Sequence, residues 1–342
     1  VSVSSAIYGL EGETLSPDEK AFFRDCDPWG FILFARNVDR PRQVRALTDG
    51  LRDCVGRNVP IFIDQEGGRV QRFKPPTWRK APPAEMFGKL FEREPELAIE
   101  AVTLNHRLLG AELIATGVDA DCAPCLDIRV PGAHDVIGDR AFHETPAPVR
   151  VLGQAALAGL LDQGVLGVIK HIPGHGRAGV DSHLELPVVD TDEETLTETD
   201  FAAFAGIEGA LMAMTAHVIY AAIDPDHCAT HSGEVIGRII RQHMGFDGLL
   251  MSDDLSMEAL SGSLQQRGER ALMAGCDMLL HCNGQMEEMI AVAHAARRLD
   301  GEAARRGEAA LAARRAPAEF DAEAGVAALD RLFTEAGLEP VS

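Results

Sequence analysis

Eight short, continuously apolar runs recur along this chain, each followed by a stretch with helical spacing. They are "VSSAIYGL" (3–10), "WGFILFA" (29–35), "VPIFID" (59–64), "GVDADCAPCLD" (117–127), "GVLGVIK" (164–170), "ALMAMTAHV" (210–218), "GLLMSD" (248–253) and "CDMLLHC" (276–282). Continuous rather than alternating apolarity is expected of parallel strands buried on both faces. Helical stretches such as "RPRQVRALTDGLRDCVG" and "EPELAIEAVTLNHRLLGAELIATG" lie between the runs, the second with an acidic first turn and a glycine end. Eight strands alternating with helices predict a (β/α)8 barrel. The rival, a doubly wound open sheet, would normally show G-x-G-x-x-G after an early strand, and the chain has none.

No linker divides the 342 residues, so one domain over 1–342 is expected, with Ala-, Arg- and Glu-rich helices from about 287 closing the barrel. Thr195 and Thr197 are candidate caps for a helix starting in "DTDEETLTETDF". With 32 basic against 53 acidic residues the net charge is −21. Such a chain repels nucleic acid and anionic membrane surfaces, so neither is expected as a partner. No run of eighteen apolar residues suggests a transmembrane helix, and "VSVSSAIYGLEGETLS" does not read as a signal peptide. Seven cysteines without framework spacing favour a reducing cytoplasm. "CAPC" (122–125) matches C-x-x-C but lacks a second pair, and both cysteines read as packing.

The polar residues fall on this rhythm. Asp64 ends the third run, Lys170 and His171 the fifth, His217 the sixth, and Asp253 and Asp254 the seventh. In a barrel the C-terminal strand ends converge on the face that holds active sites. Taken one at a time, these residues could equally be caps or salt-bridge partners. As a set they point to catalysis. On a strand successive side chains face opposite ways, so only one of Asp253 and Asp254 is expected to face inward.

"KHIPGHGRAGVDSHLE" (170–185) gathers three histidines and an aspartate among glycines. If Asp181 to His183 is extended, the two side chains share a side. Asp181 can then fix the His183 tautomer and leave its other nitrogen for proton transfer. Ser182 lacks the G-x-S-x-G context of a serine nucleophile. A metal on His171, His175, His183 and Asp181 is the competing reading. Lys170 beside His171 and a loose glycine-rich platform weigh against it, so no metal or cofactor is expected.

"KHIPGHG" followed by "DSHLELP", with "IDQEGGRVQRF", "VIGDRAFH" and "MSDDLSMEA" in the family's order, resembles bacterial β-N-acetylhexosaminidases of glycoside hydrolase family 3. The resemblance runs from about Tyr8 to the tail, and the family's fold is a (β/α)8 barrel. It implies Asp253 as nucleophile, His183 as general acid/base and Asp181 as its partner. It implies that Asp64, Arg72, Arg140, Lys170 and His171 hold N-acetylglucosamine. His175 stays outside the catalytic set, as a hydrogen-bonding residue of the loop. Ile172, where phenylalanine is frequent, and the cysteines of "CAPC" depart from the pattern away from catalytic positions. The short chain and its "DSH" look like the single-domain bacterial type, a cytoplasmic enzyme of peptidoglycan recycling, expected as a monomer. Its implied substrate is N-acetylglucosamine β-1,4-linked to 1,6-anhydro-N-acetylmuramic acid, with or without peptide. The reaction expected is retaining hydrolysis through a glycosyl-aspartate. A phosphorylase using the same residues, a metal-dependent barrel hydrolase and a non-catalytic sugar binder are the alternatives.

Overall fold

The computed structural model describes residues 3–182 and 184–341. The eight predicted runs form eight parallel strands: β1 (Ser4–Tyr8), β2 (Pro28–Leu33), β3 (Ile61–Ile63), β4 (Ala120–Asp121), β5 (Leu166–Ile172), β6 (Met212–Thr215), β7 (Leu249–Asp254) and β8 (Met278–His281). Each pairs with its sequence neighbours, and β8 pairs with β1, so the sheet closes. Closure leaves no barrel edge for another chain to pair with.

Why the runs are continuously apolar is visible in the packing. Along each strand alternate residues enter separate buried clusters. Ile7, Ile32, Phe62, Ala120, Val168, Met212, Met251 and Leu280 share one cluster, which fills the barrel. Ala6, Tyr8, Phe31, Leu33, Ile61, Ile63, Ile169, Ala213 and Leu279 belong to a second, beneath the helices. Both faces are dry, so neither can be polar; each fully buried large side chain contributes about 1.5–3 kcal/mol.

Helices flank the strands, including α1 (Pro17–Cys26), α2 (Pro41–Val55), α3 (Ala84–Phe91), α4 (Pro95–Ala115), α5 (Pro146–Asp162) and α6 (Glu193–Glu198). The helix in the acidic stretch is α6, but neither threonine caps it. Asp192 does, its carboxylate accepting the Thr195 N–H at 2.9 Å. An aspartate is as good a cap as threonine and adds charge where the helix dipole favours it. After β8 come three more helices, Met286–Ala295, Gly301–Ala312 and Ala322–Glu335. Ala310 of the second joins Trp29 in the barrel-filling cluster. Phe333 of the third meets Phe87 of α3 edge-on, with centroids 5.6 Å apart.

Candidate active site

At the C-terminal ends of the strands lies a cleft of about 330 Å³. Asp64, Arg72, Arg140, Lys170, His171, Asp253 and Asp254 all line it, with Phe34, Met214 and Leu280 as apolar walls. Six of the eight site residues read from the sequence are thus brought together. Asp181 lies beyond the lining, on the loop after β5, and His183 lies outside the described residues.

A chain of alternating charge runs along one wall. Arg72 donates to Asp64 at 2.9 Å, and Lys170 donates to the other Asp64 oxygen at 2.8 Å. Lys170 also contacts Glu66 at 2.6 Å, and Arg140 grips Glu66 with two hydrogen bonds of 2.8 and 2.9 Å. Burial alone would raise both carboxyl pKa values, but the flanking cations overcome it. Asp64 is held well below the usual carboxylate range, and Glu66 falls to about 2. Burial would likewise strip Lys170 of its proton, and Asp64 and Glu66 keep it charged. Glu66 is a site residue that the sequence reading misses; it sits in the same "DQEGG" block, two residues past Asp64. Gly67 and Gly68 turn the hairpin (Gln65–Gly67 with Val70–Gln71) that carries it. Both have positive φ, and a Cβ on Gly67 would sit 2.4 Å from the Pro82 carbonyl.

A second network lies behind His171. Asp127, fully buried, accepts from His171 Nδ1 at 2.6 Å, from the His171 N–H, and from the His175 N–H at 2.6 Å. Burial opposes its charge, but the two histidines overcome this and keep the carboxyl well below its usual range. A carboxylate only accepts, so Nδ1 carries the proton. Asp127 ends the fourth apolar run, and the strand-end rule that picks Asp64 would pick it too. His175 Nε2 meets Ser182 Oγ at 2.8 Å, which agrees with a hydrogen-bonding role in the loop. Burial pushes the His175 pKa down to about 4.

The extended segment expected from Asp181 to His183 ends on a residue outside those described. The Asp181 carbonyl accepts from the Leu184 and Glu185 N–H groups. The glycine at 176 is needed for room: a Cβ would lie 1.9 Å from the Ile128 carbonyl oxygen. Tyr220 OH donates to the Gly174 carbonyl, and Arg177 donates to Asp200 at 2.6 Å.

On β7 both aspartates border the cleft, against the simple alternation of a strand. Asp254 takes three donors: the Ser256 N–H at 3.1 Å, Ser256 Oγ at 2.5 Å and the Cys282 N–H at 3.1 Å. Asp253 Oδ1 accepts the Asp254 N–H at 2.7 Å. His217 does not line the cleft. It is buried, and burial lowers its pKa. Its Nε2 donates to the Asp254 carbonyl at 3.1 Å, so its Nδ1, 2.7 Å from Thr230 Oγ1, accepts. It steadies the strand end that presents Asp253.

Asp121, at the end of β4, is a third carboxyl next to this wall. One oxygen accepts the Gln65 N–H at 2.9 Å, and the other has no partner among the described residues. Burial pushes it up to about 8; the Gln65 N–H and Lys170 pull down, Asp64 and Glu66 push up. A folded pKa raised above the unfolded value means stability lost as pH rises. Between the unfolded value, about pH 4, and the folded value, keeping Asp121 neutral costs the wild type stability. An asparagine in its place has no proton to hold and escapes that cost. Asp121→Asn also keeps the acceptor for Gln65. Its melting temperature should exceed that of the wild type by a margin that widens from about pH 5 to pH 8. A constant or shrinking margin across that window would show Asp121 to be ionised in the fold.

Among the described residues, one group of donors has metal-ligating chemistry: Cys125, Asp127 and His171, with one ligand atom from each within 4.8 Å of the others. Of the set considered from the sequence, it includes only His171.

A closed (β/α)8 barrel with charged residues from several strands converging on a cleft at its C-terminal face has the form of a barrel enzyme. The family model described as "Glycosyl hydrolase family 3 N terminal domain" matches residues 16–310. A beta-hexosaminidase from Alkalilimnicola ehrlichii is 43% identical over 286 residues, covering 81% of this chain and 80% of that protein. One from Bordetella parapertussis is 41% identical over 278 residues, covering 80% and 78%. The crystal structure of NagZ from Neisseria gonorrhoeae in complex with N-trifluoroacetyl-D-glucosamine superposes with a TM-score of 0.86 at 30% identity, covering 99% of each chain. The chain belongs to glycoside hydrolase family 3, and it groups with that family's single-domain bacterial β-hexosaminidases.

Proposed function

We propose that this protein is a retaining exo-β-N-acetylglucosaminidase that acts by double displacement. Asp253 attacks the anomeric carbon while His183, oriented by Asp181, protonates the leaving oxygen. A glycosyl-aspartate forms. His183, now neutral, takes a proton from water, which releases N-acetylglucosamine. The observation that carries this is the place of Asp253 at the end of β7, where it lines the same cleft as Asp64, Arg72, Lys170 and His171.

The wall then holds the sugar. Arg72, Asp64, Lys170 and Arg140 offer fixed donors and acceptors, and His171 presents its Nε2 side, since Asp127 holds Nδ1. These groups are already paired, so little side-chain ordering is needed on binding. The substrate we propose is N-acetylglucosamine β-1,4-linked to 1,6-anhydro-N-acetylmuramic acid, bare or with peptide, turned over in the cytoplasm during peptidoglycan recycling. The chain works as one unit and as a monomer.

The test is covalent trapping. A slow fluorinated N-acetylglucosamine analogue should add one glycosyl mass per chain, and peptide mapping should place it on Asp253. An adduct on Asp254 would transfer the role to its neighbour. Turnover that requires inorganic phosphate would make the enzyme a phosphorylase instead.

A further inference from the structure

We propose that Cys125, Asp127 and His171 form a site for a thiophilic dication, zinc or cadmium, and that an ion there silences the cleft by capturing His171. The inhibitory half rests on the role given to His171 above; the binding half does not.

The three donors come from the ends of two neighbouring strands. Cys125 and Asp127 follow β4, and His171 lies in β5. A bridge between Cys125 and Lys170 fixes the two segments side by side. Cys125 Sγ lies 3.3 Å from Asp127 Oδ2, and that oxygen lies 2.6 Å from His171 Nδ1. Zinc bonds of about 2.0–2.3 Å at tetrahedral angles set donors roughly 3.3–3.7 Å apart. The thiol–carboxylate pair already has that spacing, and the imidazole must withdraw by under ~1 Å. All three residues are buried. A site of sulfur, nitrogen and oxygen suits a borderline-soft ion and discriminates against magnesium and calcium.

Lys170 does not oppose an ion here. Its ammonium is turned to Asp64 and Glu66, and the Arg140 guanidinium is turned to Glu66. The charge left for the ion is a thiolate and a carboxylate, which matches a dication. The adjoining His175 ring lies 5.6 Å from that of His171, and its buried Nδ1 has no hydrogen-bond partner among the described residues. The polar surroundings are thus richer in nitrogen than hydrogen bonding requires.

Binding releases the thiol proton to solvent and moves the His171 ring proton from Nδ1 to Nε2. Two consequences follow for the cleft. The nitrogen facing the sugar changes from acceptor to donor. Asp127, bonded to the ion, loosens its hold on His175 and hence on the loop.

The full-length protein is titrated with cadmium alone and followed by ultraviolet thiolate-to-metal charge transfer. Zinc affinity is measured separately, by competition with a chromophoric chelator. The wild type should bind one ion with a thiolate signal. Cys125→Val, which preserves packing, should lose that signal and bind zinc at least about 10–100-fold more weakly, since even an indirect partner of a metal ligand is worth that much. Cys122→Val, on the same segment but inside the barrel, should bind as the wild type does. The zinc concentration that halves aryl-glycosidase activity should rise by the same factor in Cys125→Val only. Should the valine variant fail to fold, Cys125→Ser must show the same loss of signal. Equal zinc affinity in wild type and Cys125→Val overturns the site. Binding without inhibition overturns the capture of His171 and leaves the site standing. Because the cadmium signal needs no turnover, an error in the proposed reaction would not hide it.

Discussion

Asp253→Ala is expected to fold with an unchanged melting profile and to lose turnover by on the order of 10⁴-fold or more, the scale on which enzymes lose a covalent nucleophile. The side chain is only partly buried and caps no helix, so its loss leaves little cavity. What disappears is the group proposed to meet the anomeric carbon. Azide supplies a test of direction as well as rate. In Asp253→Ala it would fill the space left by the carboxylate and attack an activated β-aryl glycoside from that side, giving the α-glycosyl azide. Nuclear magnetic resonance of the product reads the configuration. A variant retaining more than a few per cent of activity on both natural and aryl substrates, or a β-azide, would remove Asp253 from the role. Asp254→Asn serves as the contrast. It disturbs Ser256 and the Cys282 backbone, so it should lower stability more than Asp253→Ala does and should not respond to azide.

His183→Ala is expected to cost about 10²–10⁴-fold on the natural disaccharide, the usual range for losing a general acid. A sugar alkoxide cannot leave without a proton. A nitrophenolate can, so the glycosylation step on an activated aryl substrate should lose much less. The glycosyl-aspartate then accumulates, because its hydrolysis still lacks a base, and a burst of phenolate precedes a slow steady state. Azide needs no base. It would restore turnover and give the β-azide, the opposite configuration to that from Asp253→Ala. Asp181→Asn should show a milder form of the same pattern, through a less basic imidazole. Equal slowing of both substrates, with no burst and no rescue, would return His183 to a structural or sugar-binding role. His175 would then be the first alternative donor, although burial pushes its pKa down to about 4.

The barrel was legible because burial on both faces leaves a mark that needs no partner to read. Ile7 and Tyr8 point opposite ways and are both apolar, and so on around eight strands. The rim residues were legible for a related reason: Asp64, Lys170 and Asp253 each interrupt an apolar run at its end. What the sequence hid were pairings between distant positions. Nothing in "DQEGG" says that Glu66 shares Lys170 with Asp64, and Asp127 was passed over although it too ends an apolar run. Local spacing also misled. A period of two expects one of Asp253 and Asp254 at the cleft, yet both line it at the strand's last residues. Thr195 looked like a cap, yet Asp192 reached its N–H first.

The run of charges from Arg72 through Asp64, Lys170 and Glu66 to Arg140 has a consequence for how this cleft can change over evolutionary time. Each inner member has two partners, so replacing one takes a counter-charge from both neighbours at once. Substitutions here are strongly coupled rather than additive. A neutral residue in place of Lys170 would be costly alone, yet cheap in a background where Asp64 and Glu66 have already lost their charge. The five positions are therefore expected to change together rather than singly. A lineage that alters its sugar preference has easier ground on the apolar side of the cleft, at Met214 and Met257, where one residue can change without stranding a charge.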